Sequence, residues 1–434
     1  MASHEFAAFV GIDWGDQKHA VCLRTEGVEV EHELSQKADE IDAWATELRT
    51  RFGGRPVAVC LEQSRGPLIY ALLKYEFLVL FPLNPLQSTR YREALYPSGS
   101  KDDPLDARLL CLFVETHHGQ LRAWKPDDEA TRLLRLLAED RRRFVDQRTA
   151  HKNQLRQRLK EFFPLALELL RSGDLEDEWF LQLLVKFPSH AELRRASPRT
   201  LERMLPKHHR LPDDESLDPR VAQIRAAVPL VTDGAVVKAA RLQVMELARL
   251  LLRLNTTIAE YDHELSAELA RHPEAELFRS FPGAGAALLP RLAAAFGTDR
   301  ERYADAQDLQ QLSGIAPVQI RSGKSCSVRR RRACPKFLRQ TFHEYADHSR
   351  KRSLWAKAYY RMLRGRGLRH NAAVRALAFK WLRILFRCWQ TRTPYDEHRH
   401  LKQLRLKQSP CSNSSTSLIP SNKLDKGAQM STRA

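Results

Sequence analysis

The sequence predicts an α/β domain followed by a longer, mainly helical part. Residues 6–34 combine β-prone apolar segments with short turns, and helix and strand signals then alternate up to about residue 118. From about residue 127 the strand signal disappears, and Leu, Arg, Glu and Ala, which suit helices, dominate the composition. These observations predict a sheet domain near the start of the chain and helical units after it.

Three strands open the predicted sheet. The segments FAAFVGID, HAVCLR and VEVEHEL have strand composition and are separated by the turns WGDQK and TEG. The elements predicted to follow are a helix at 38–51, a strand at 56–61, a helix at 68–75, a strand at 77–81 and a helix at 102–118. A meander followed by alternating helices and strands is typical of a ribonuclease H-type sheet. Neither GxGxxG nor GxxxxGK[ST] occurs where a strand would lead into a helix, so ATP or NAD dependence is not expected.

A heptad pattern marks the helical part. Its apolar positions, alternately three and four residues apart, are Val244, Leu247, Leu251, Leu254, Ile258, Tyr261 and Leu265. This pattern predicts a coiled-coil seam, which either a second chain or the helix predicted around 130–160 would bury. Between the two long helices, residues 164–235 predict short helices separated by Pro, with Ser189 and Ser197 as N-caps. Further helices are predicted at 336–364 and 371–391.

The segment SFPGAGAALLPRLAAAFG predicts a helix-hairpin-helix-like element. Its turn runs from Pro282 to Gly285, and the amides near Gly283 and Gly285 could bind a backbone phosphate. An ordinary glycine-containing turn between helices is the alternative. Trp355, Tyr359 and Tyr360 in the later helices could stack on bases, although such a stripe more often belongs to a core.

The charge balance points to a polyanionic partner. The 434 residues include 71 Lys and Arg against 53 Asp and Glu, which gives a net charge of +18 and a pI near 9.8. No apolar run approaches a membrane span and no signal peptide is evident, so we expect a cytoplasmic protein without membrane contact. The seven cysteines form no CxxC pair, so reduced thiols rather than a zinc site are expected.

Four acids lie where predicted elements begin or end. Asp13 ends the first strand, Glu62 ends the buried strand VAVCLE, and Asp103 and Asp106 begin a helix and share one of its faces. Carboxylates at adjacent strand ends repel unless a cation neutralises them, and Mg²⁺ (or Mn²⁺) prefers such oxygen ligands. The alternatives are that Asp102, Asp103 and Asp106 cap the helix and that Glu62 pairs with Arg65.

These motifs carry a family resemblance. GIDWGDQKH, CLEQSRG, LNP at 83–85 and SKDDPLDARLL resemble the N-terminal RuvC-like domain of the DEDD-type insertion-sequence transposases, a family of bridge-RNA-guided recombinases. SFPGAGAALLPRLAAAFG, RYADAQDLQQLSGIAPVQIRSGKS and LRHNAAVRALAFKWLRILFRCWQTRTPYDEHRH resemble its C-terminal transposase domain. The resemblance implies that the family's four acids are Asp13, Glu62, Asp103 and Asp106, with Asp102 an additional neighbour.

The resemblance also implies the division of the chain and its activity. It predicts a RuvC-like catalytic domain at 5–125, a helical and coiled-coil region at 126–272, a C-terminal transposase domain at 273–400 and a disordered tail at 401–434. Ser322 in RSGKS is the implied nucleophile, which attacks DNA to form a phosphoserine intermediate while the metal-bound acids assist. The local chemistry leaves Ser325 and Ser327 equally eligible.

The implied partners are DNA, a guide RNA and further copies of the chain, as dimers and tetramers, in a bacterial or archaeal cell with association to the nucleoid. Two other interpretations remain. One is a metal-dependent, structure-specific nuclease such as a junction resolvase, in which Ser322 is inert. The other is a non-catalytic nucleic-acid-binding protein.

Two basic runs are predicted to contact nucleic acid. Residues 141–160 carry eight Lys or Arg against one acid on a predicted helix, and a second run surrounds and follows Ser322. The predicted contacts are Arg141, Arg142, Arg143, Lys152, Arg321, Lys324, Arg329, Arg330, Arg331 and Arg332. A solvated helix face is the alternative for the first run, which scarce acidic neighbours at i±4 argue against.

Overall fold

A computed structural model of the chain describes residues 6–62, 66–96, 102–170, 173–206, 219–323 and 325–407. The chain divides into two compact units between Pro126 and Asp127. The predictions made for Arg65, Lys324 and tail residues 408–434 lie outside the described residues.

The first unit contains a five-stranded sheet. Its strands are β1 (Ala8–Asp13), β2 (Lys18–Thr25), β3 (Val28–Ser35), β4 (Val57–Leu61) and β5 (Leu78–Pro82), in the spatial order β3-β2-β1-β4-β5. β1, β2 and β3 pair antiparallel, whereas β4 is parallel to both β1 and β5. The predicted meander is therefore confirmed, and the mixed sheet is consistent with a ribonuclease H-like domain.

Four helices accompany this sheet: α1 (Ala38–Arg51), α2 (Pro67–Leu72), α3 (Pro85–Leu95) and α4 (Asp103–His117). Three of them match predicted helices, but α3 was not predicted. Asn84 caps α3, because its side-chain oxygen accepts a hydrogen bond from the Leu86 amide at 2.9 Å. An Asn N-cap followed by Pro85 at the first helical position was the local signal for this helix.

Helix α4 packs directly on the backbone of β1 at Gly11. A Cβ atom at Gly11 would lie 2.0 Å from the Ala107 carbonyl oxygen and 2.3 Å from the Cys111 amide nitrogen. The Cys111 thiol also donates a hydrogen bond to the Phe9 carbonyl oxygen at 3.2 Å. Because later residues of β1 face earlier residues of α4, the helix runs antiparallel to the strand, with its first turn toward Asp13.

We expect Gly11→Ala to lower the free energy of unfolding by about 3 kcal/mol, since both contacts are backbone atoms that a side-chain rotation cannot relieve. Chemical denaturation monitored by circular dichroism measures this change. Gly119→Ala is the matched control, because a Cβ there meets nothing within 4 Å. Equal stability of the two variants would contradict the close packing of α4 on β1.

Two long helices, α5 and α11, dominate the second unit. The described helices of this unit are α5 (Glu129–Phe162), α6 (Pro164–Leu170), α7 (Glu178–Lys186), α8 (His190–Arg195), α9 (Pro198–Met204), α10 (Pro219–Ala226), α11 (Gly234–Arg271), α12 (Ala275–Arg279), α13 (Leu289–Phe296), α14 (Ala306–Leu312), α15 (Lys336–Arg352), α16 (Leu354–Gly365), α17 (His370–Gln390) and α18 (Glu397–Leu406). Helices α5 and α11 pack antiparallel, since Arg141 bonds to Asp262 and Arg158 to Gln243. The heptad seam is thus largely buried within the chain, as the single-chain alternative predicts, with Leu254 and Tyr261 half-buried.

The short helices after α5 form a core with both long helices. Leu155 and Leu159 of α5 cluster there with Val244 and Leu251 of α11. The predicted N-caps are confirmed: the hydroxyl oxygen of Ser189 accepts a hydrogen bond from the Glu192 amide, and that of Ser197 accepts one from the Thr200 amide. A separate core joins the ends of the long helices to the C-terminal helices.

The C-terminal helices depart from prediction at two places. The helix predicted at 336–364 is broken at Ser353, whose hydroxyl oxygen caps α16 through the Ala356 amide. The tail predicted from residue 401 begins instead with the last turns of α18, and Leu401 is buried in the core. Trp355 is buried against Trp381, with ring centroids 4.7 Å apart, so its core interpretation is confirmed.

A β-hairpin corrects the prediction that no strand follows residue 127. Strands β6 (Val318–Ser322) and β7 (Ser325–Arg329) pair antiparallel, with Val318 opposite Arg329 and Ser322 opposite Ser325. Both strands are largely exposed. Their residues, VQIRS and SCSVR, do alternate apolar and polar side chains, so a local strand signal was present although no strand was predicted there. In the described part of the chain, no helix is long and apolar enough to cross a membrane.

Candidate active site

Asp13 and Glu62 lie at the same edge of the sheet. Asp13 is the last residue of β1 and Glu62 directly follows β4, and these parallel strands are in register with Ile12 opposite Leu61. Neighbouring strands are about 4.8 Å apart, so the two backbones carry their carboxylates side by side. Burial, together with the nearby charge of Glu62, raises the pKa of Cys60 to about 12, so this core thiol stays neutral.

The first turn of α4 brings the other two acids toward this edge. Gly11 faces Ala107, and the antiparallel course of α4 directs the residues before Ala107 toward the end of β1. Asp103, the first residue of α4, is exposed, whereas Asp106 is only 4% exposed. Asp102 occupies the N-cap position without a side-chain capping hydrogen bond, so the capping alternative is not realised there.

Arg92 holds Asp106, and sequence reasoning missed this residue. Its Nη1 atom donates to both carboxylate oxygens of Asp106, at 2.6 and 2.7 Å. The Arg92 side chain is itself 16% exposed, so this is a largely buried ion pair. Such a pair fixes the orientation of the carboxylate, and losing one partner would leave a buried charge without compensation.

The four acids have the chemistry that a divalent cation needs, but no three of them have oxygens mutually within 4.8 Å. They supply only hard oxygen ligands, which Mg²⁺ and Mn²⁺ accept. Among the described residues, a group that close is formed by Cys22, Glu29 and Glu31. Both of those glutamates pair with Arg108, so this group is an ion-pair cluster rather than a metal site.

The turn after Asp13 is fixed by a buried histidine. The His19 ring accepts a hydrogen bond from the Gly15 amide at Nδ1, so Nε2 carries the proton and donates to the Gln36 side-chain oxygen at 2.6 Å. His19 also stacks on Trp14, with ring centroids 6.5 Å apart. Because this arrangement needs Nδ1 as an acceptor, it holds only while the imidazole is neutral.

We expect acid to destabilise this turn. Burial lowers the pKa of His19 below the ordinary value of about 6.5, so the unfolded chain takes up a proton first as the pH falls through that value. The contribution of neutral His19 to the free energy of unfolding is therefore fully present above about pH 6.5 and declines as the pH falls below it. Thermal unfolding of wild type and His19→Gln at about pH 7.5 and about pH 5.5 measures this, with a smaller acid-induced loss expected for the variant. Equal losses in both proteins would exclude His19 as a contributor.

Ser322 lies at the tip of the β6–β7 hairpin in the second unit. It is exposed and ends β6, and the following Gly323 has φ +54°, a left-handed conformation that suits glycine in a tight turn. Ser325 begins β7 directly opposite. Arg321 is exposed on the same strand, and Arg329, Arg330 and Arg332 are exposed along the chain that leaves the hairpin.

The first basic run is paired with acids. Arg141 donates two hydrogen bonds to Asp262, and Lys152 contacts both Asp174 and Glu176 at 3.1 Å. Arg142 pairs with Asp146 and Glu344, and Arg143 pairs with Asp140. The scarcity of acids at i±4 did not leave this run unpaired, because most of these acids come from other elements. Nucleic-acid contact by these four residues stays a prediction.

Two separate predictions converge on one cleft. Arg141 and Arg142 of α5 line a cavity of 330 Å³ together with Gly283 and Gly285 of the turn between α12 and α13. Arg291, which the sequence did not single out, lines it too; this side chain is 7% exposed, and its Nη2 atom has no hydrogen-bond partner among the described residues. The Gly285 amide donates to the Gly283 carbonyl oxygen, so this amide is already used within the turn.

Gly283 has a structural role in that turn. It has φ +86°, and a Cβ there would lie 3.0 Å from the backbone of Ser349 in α15. The ordinary-turn alternative therefore accounts for Gly283. Phosphate binding by Gly283 and Gly285 stays a prediction.

The mixed sheet with acids at one edge, followed by a helical unit, is consistent with an enzyme that processes nucleic acid, and comparisons with known proteins give its family. A family model described as "Transposase" matches residues 10–164, and one described as "Transposase IS116/IS110/IS902 family" matches residues 275–361. The "Mini-circle putative transposase for IS117" of Streptomyces coelicolor is 30% identical over 420 residues, which cover 92% of this chain and 98% of that protein.

Two further relatives are similar over most of their length. The 43.6 kDa protein of insertion element IS110, also from Streptomyces coelicolor, is 26% identical over 91% of this chain and 96% of its own. The 44.8 kDa protein of insertion element IS116 from Streptomyces clavuligerus is 27% identical over 70% of this chain and 74% of its own. The chain belongs to the IS116/IS110/IS902 family of transposases. It is a DNA transposase/recombinase, of a family that generally uses divalent metal.

Proposed function

We propose that this transposase breaks and rejoins DNA with Ser322 as the nucleophile and with Mg²⁺ or Mn²⁺ held by Asp13, Glu62, Asp103 and Asp106. The observation that carries the proposal is the position of the four acids: two lie at the ends of adjacent parallel strands, and two lie in the first turn of the helix that packs on β1 at Gly11. Four carboxylates so arranged give this unit a concentrated negative charge in a chain whose net charge is +18.

Each acid has its own part in the proposed metal site. Asp13 and Glu62 are the ligands fixed by the sheet, and Asp103 is the exposed ligand at the start of α4. Asp106 is oriented by Arg92, which also offsets part of the negative charge. Divalent cations held by these acids would supply Lewis-acid charge that neutralises a scissile phosphate.

Ser322 is well suited to reach a phosphodiester, because it is exposed at a hairpin tip beside Arg321. In the proposed step, its Oγ bonds to phosphorus as one phosphorus–oxygen bond of the DNA backbone breaks. The serine proton passes to the leaving oxygen, which becomes a free DNA hydroxyl. Attack by a hydroxyl of the exchanged strand then releases the serine, so no net hydrolysis occurs.

Four further properties that we propose for this protein follow from the family resemblance. They are a RuvC-like fold for the first domain, a helix-hairpin-helix-like turn near Gly283, guidance by an RNA of the element, and assembly into dimers and tetramers. The acids and Ser322 belong to different compact units, so the proposed assembly can draw them from different subunits. A DNA substrate would associate the protein with the nucleoid.

A suicide substrate tests this function. A DNA duplex nicked beside the element end traps the covalent intermediate, because the short leaving fragment diffuses away before it can rejoin. With Mg²⁺, we expect a protein–DNA adduct on a denaturing gel and its phosphoserine in a tryptic digest. Metal-dependent nicking without an adduct would instead identify the resolvase-like nuclease, and salt-sensitive binding without cleavage would identify the non-catalytic interpretation.

A further inference from the structure

A cationic cleft lies at the open end of the β6–β7 hairpin. Its cavity of 440 Å³ is lined by four basic side chains: Arg330, which follows β7, Lys336 and Arg339 of α15, and Arg375 of α17. Asn371, at the start of α17, adds a polar side chain to the lining. Segments distant in sequence thus contribute positive charge to one cavity.

These four charges lack acidic partners in the described part of the chain. Among the described residues, Arg339 donates to the Arg331 carbonyl oxygen and to the Cys334 sulfur, and it has no carboxylate partner there. The carboxylate in the lining is Glu344. It is already occupied: one oxygen accepts from Arg291 at 2.6 Å, and the other accepts from Gln340 at 2.8 Å and from Arg142 at 3.2 Å.

The cleft accumulates repulsion that an anion would relieve. Burial, followed by the charges of Arg330 and Arg339, lowers the pKa of the Arg375 guanidinium, which still remains charged at neutral pH. His343 also lines the cavity, and burial lowers its pKa, so it is neutral at pH 7. Like charges held close together raise the free energy of the empty cleft, and a phosphate between them would lower it.

We propose that this cleft binds a backbone phosphate of the DNA strand whose cleavage point is at Ser322. The hairpin supports DNA as the occupant, because its register connects the cleft directly to that serine. Ser322 is four residues after Val318, so the two are about 13 Å apart at about 3.3 Å per residue. Along the helix axis of B-form DNA, where one strand carries a phosphate about every 3.4 Å, the same length corresponds to roughly four nucleotides. The assignment of this particular strand rests on the proposed role of Ser322.

The test is the salt dependence of binding by the full-length protein. Fluorescence anisotropy with a labelled mixed-sequence DNA duplex, in EDTA, measures binding without any cleavage. For Arg375→Gln we expect roughly tenfold weaker binding, and we expect the slope of log affinity against log salt concentration to be smaller by about one. For the double variant Arg339→Gln with Arg375→Gln, we expect this slope to be smaller by about two. Arg375→Lys should recover most of the slope because it restores the charge.

Lys380→Gln is the matched control, since Lys380 is an exposed cation on the same helix outside the cleft. Lys336→Gln, at an exposed position, guards against misfolding and should also reduce the slope by about one. An unchanged slope in Arg375→Gln and Lys336→Gln, or an equal change in Lys380→Gln, would overturn the proposal. The same measurement with an RNA of the same sequence distinguishes the two nucleic acids. If the variants lost affinity for the RNA alone, the assignment to DNA would be overturned. Because no cleavage occurs, the result is independent of whether Ser322 forms an adduct.

Discussion

Asp13→Asn is expected to lower strand transfer by roughly 10³-fold, because it removes one metal ligand's charge while keeping the side chain's size. A metal-ion contribution of several kcal/mol, at 1.36 kcal/mol per tenfold, gives about this factor. The measurement is recombination between two DNA molecules in Mg²⁺, at equal concentrations of folded protein. Asp13 is half-buried at a strand end, so the amide should be tolerated by the fold.

Asp102→Asn provides the matched control. Asp102 precedes the same helix as Asp103, is exposed, and makes no capping hydrogen bond with its side chain. We expect its rate to stay within about twofold of wild type, because surface substitutions away from special contacts have small effects. A normal rate for Asp13→Asn, or a comparable loss in Asp102→Asn, would refute a specific role for the first acid.

The sheet was predictable because its strands carry their own signal. β4 is buried at every residue, Val57 to Leu61, and reads as a continuous apolar segment. Asp13 and Glu62 stood out because a charge at the end of such a strand needs an explanation. The pairing of β1 with β4, which puts them side by side, followed only from the expected strand order.

The contacts that arrange the acids were not predictable in the same way. Helix α3 was missed because it has weak amphipathic character, and Ser88 is its one buried residue. Arg92, on this helix, was therefore one arginine among many in a basic chain. Likewise, the contact of Gly11 with α4 depends on how a strand meets a helix almost one hundred residues later, which no local pattern encodes.

In the second unit, the sequence likewise did not predict which basic side chains are paired with acids. Composition predicted a cationic surface at 141–160, but the structure supplies acids to Arg141 and Lys152 from α11 and from the segment before α7. The basic residues of the cationic cleft beside the β6–β7 hairpin, such as Arg330 and Arg375, lack acidic partners among the described residues and are far apart in the sequence. Net charge follows from composition, whereas its local compensation is decided by tertiary packing.

Ser322→Ala is expected to abolish the protein–DNA adduct, a loss of at least about 10⁴-fold, because a methyl group has no oxygen to bond to phosphorus. Adduct yield on the nicked duplex is the measurement, and unchanged DNA affinity in EDTA would show that binding survives. The hairpin has more than one serine to exclude. Ser325 is opposite Ser322, and Ser327 is two residues further along β7, so all three side chains share one face.

The shared face makes Ser325→Ala and Ser327→Ala the decisive controls. Opposed Cβ atoms in a hairpin lie about 5 Å apart, which is too far for a second hydroxyl to replace the first without moving the DNA. Reacting atoms must approach to about 3–3.5 Å, and a misplacement of about 1 Å can cost about 10²-fold. We therefore expect Ser325→Ala and Ser327→Ala to keep near-normal adduct yield. A full adduct in Ser322→Ala that disappears only when Ser325 is also replaced would move the nucleophile across the hairpin. The reactive oxygen would then belong to β7, the strand that leads directly to Arg330 and the cationic cleft.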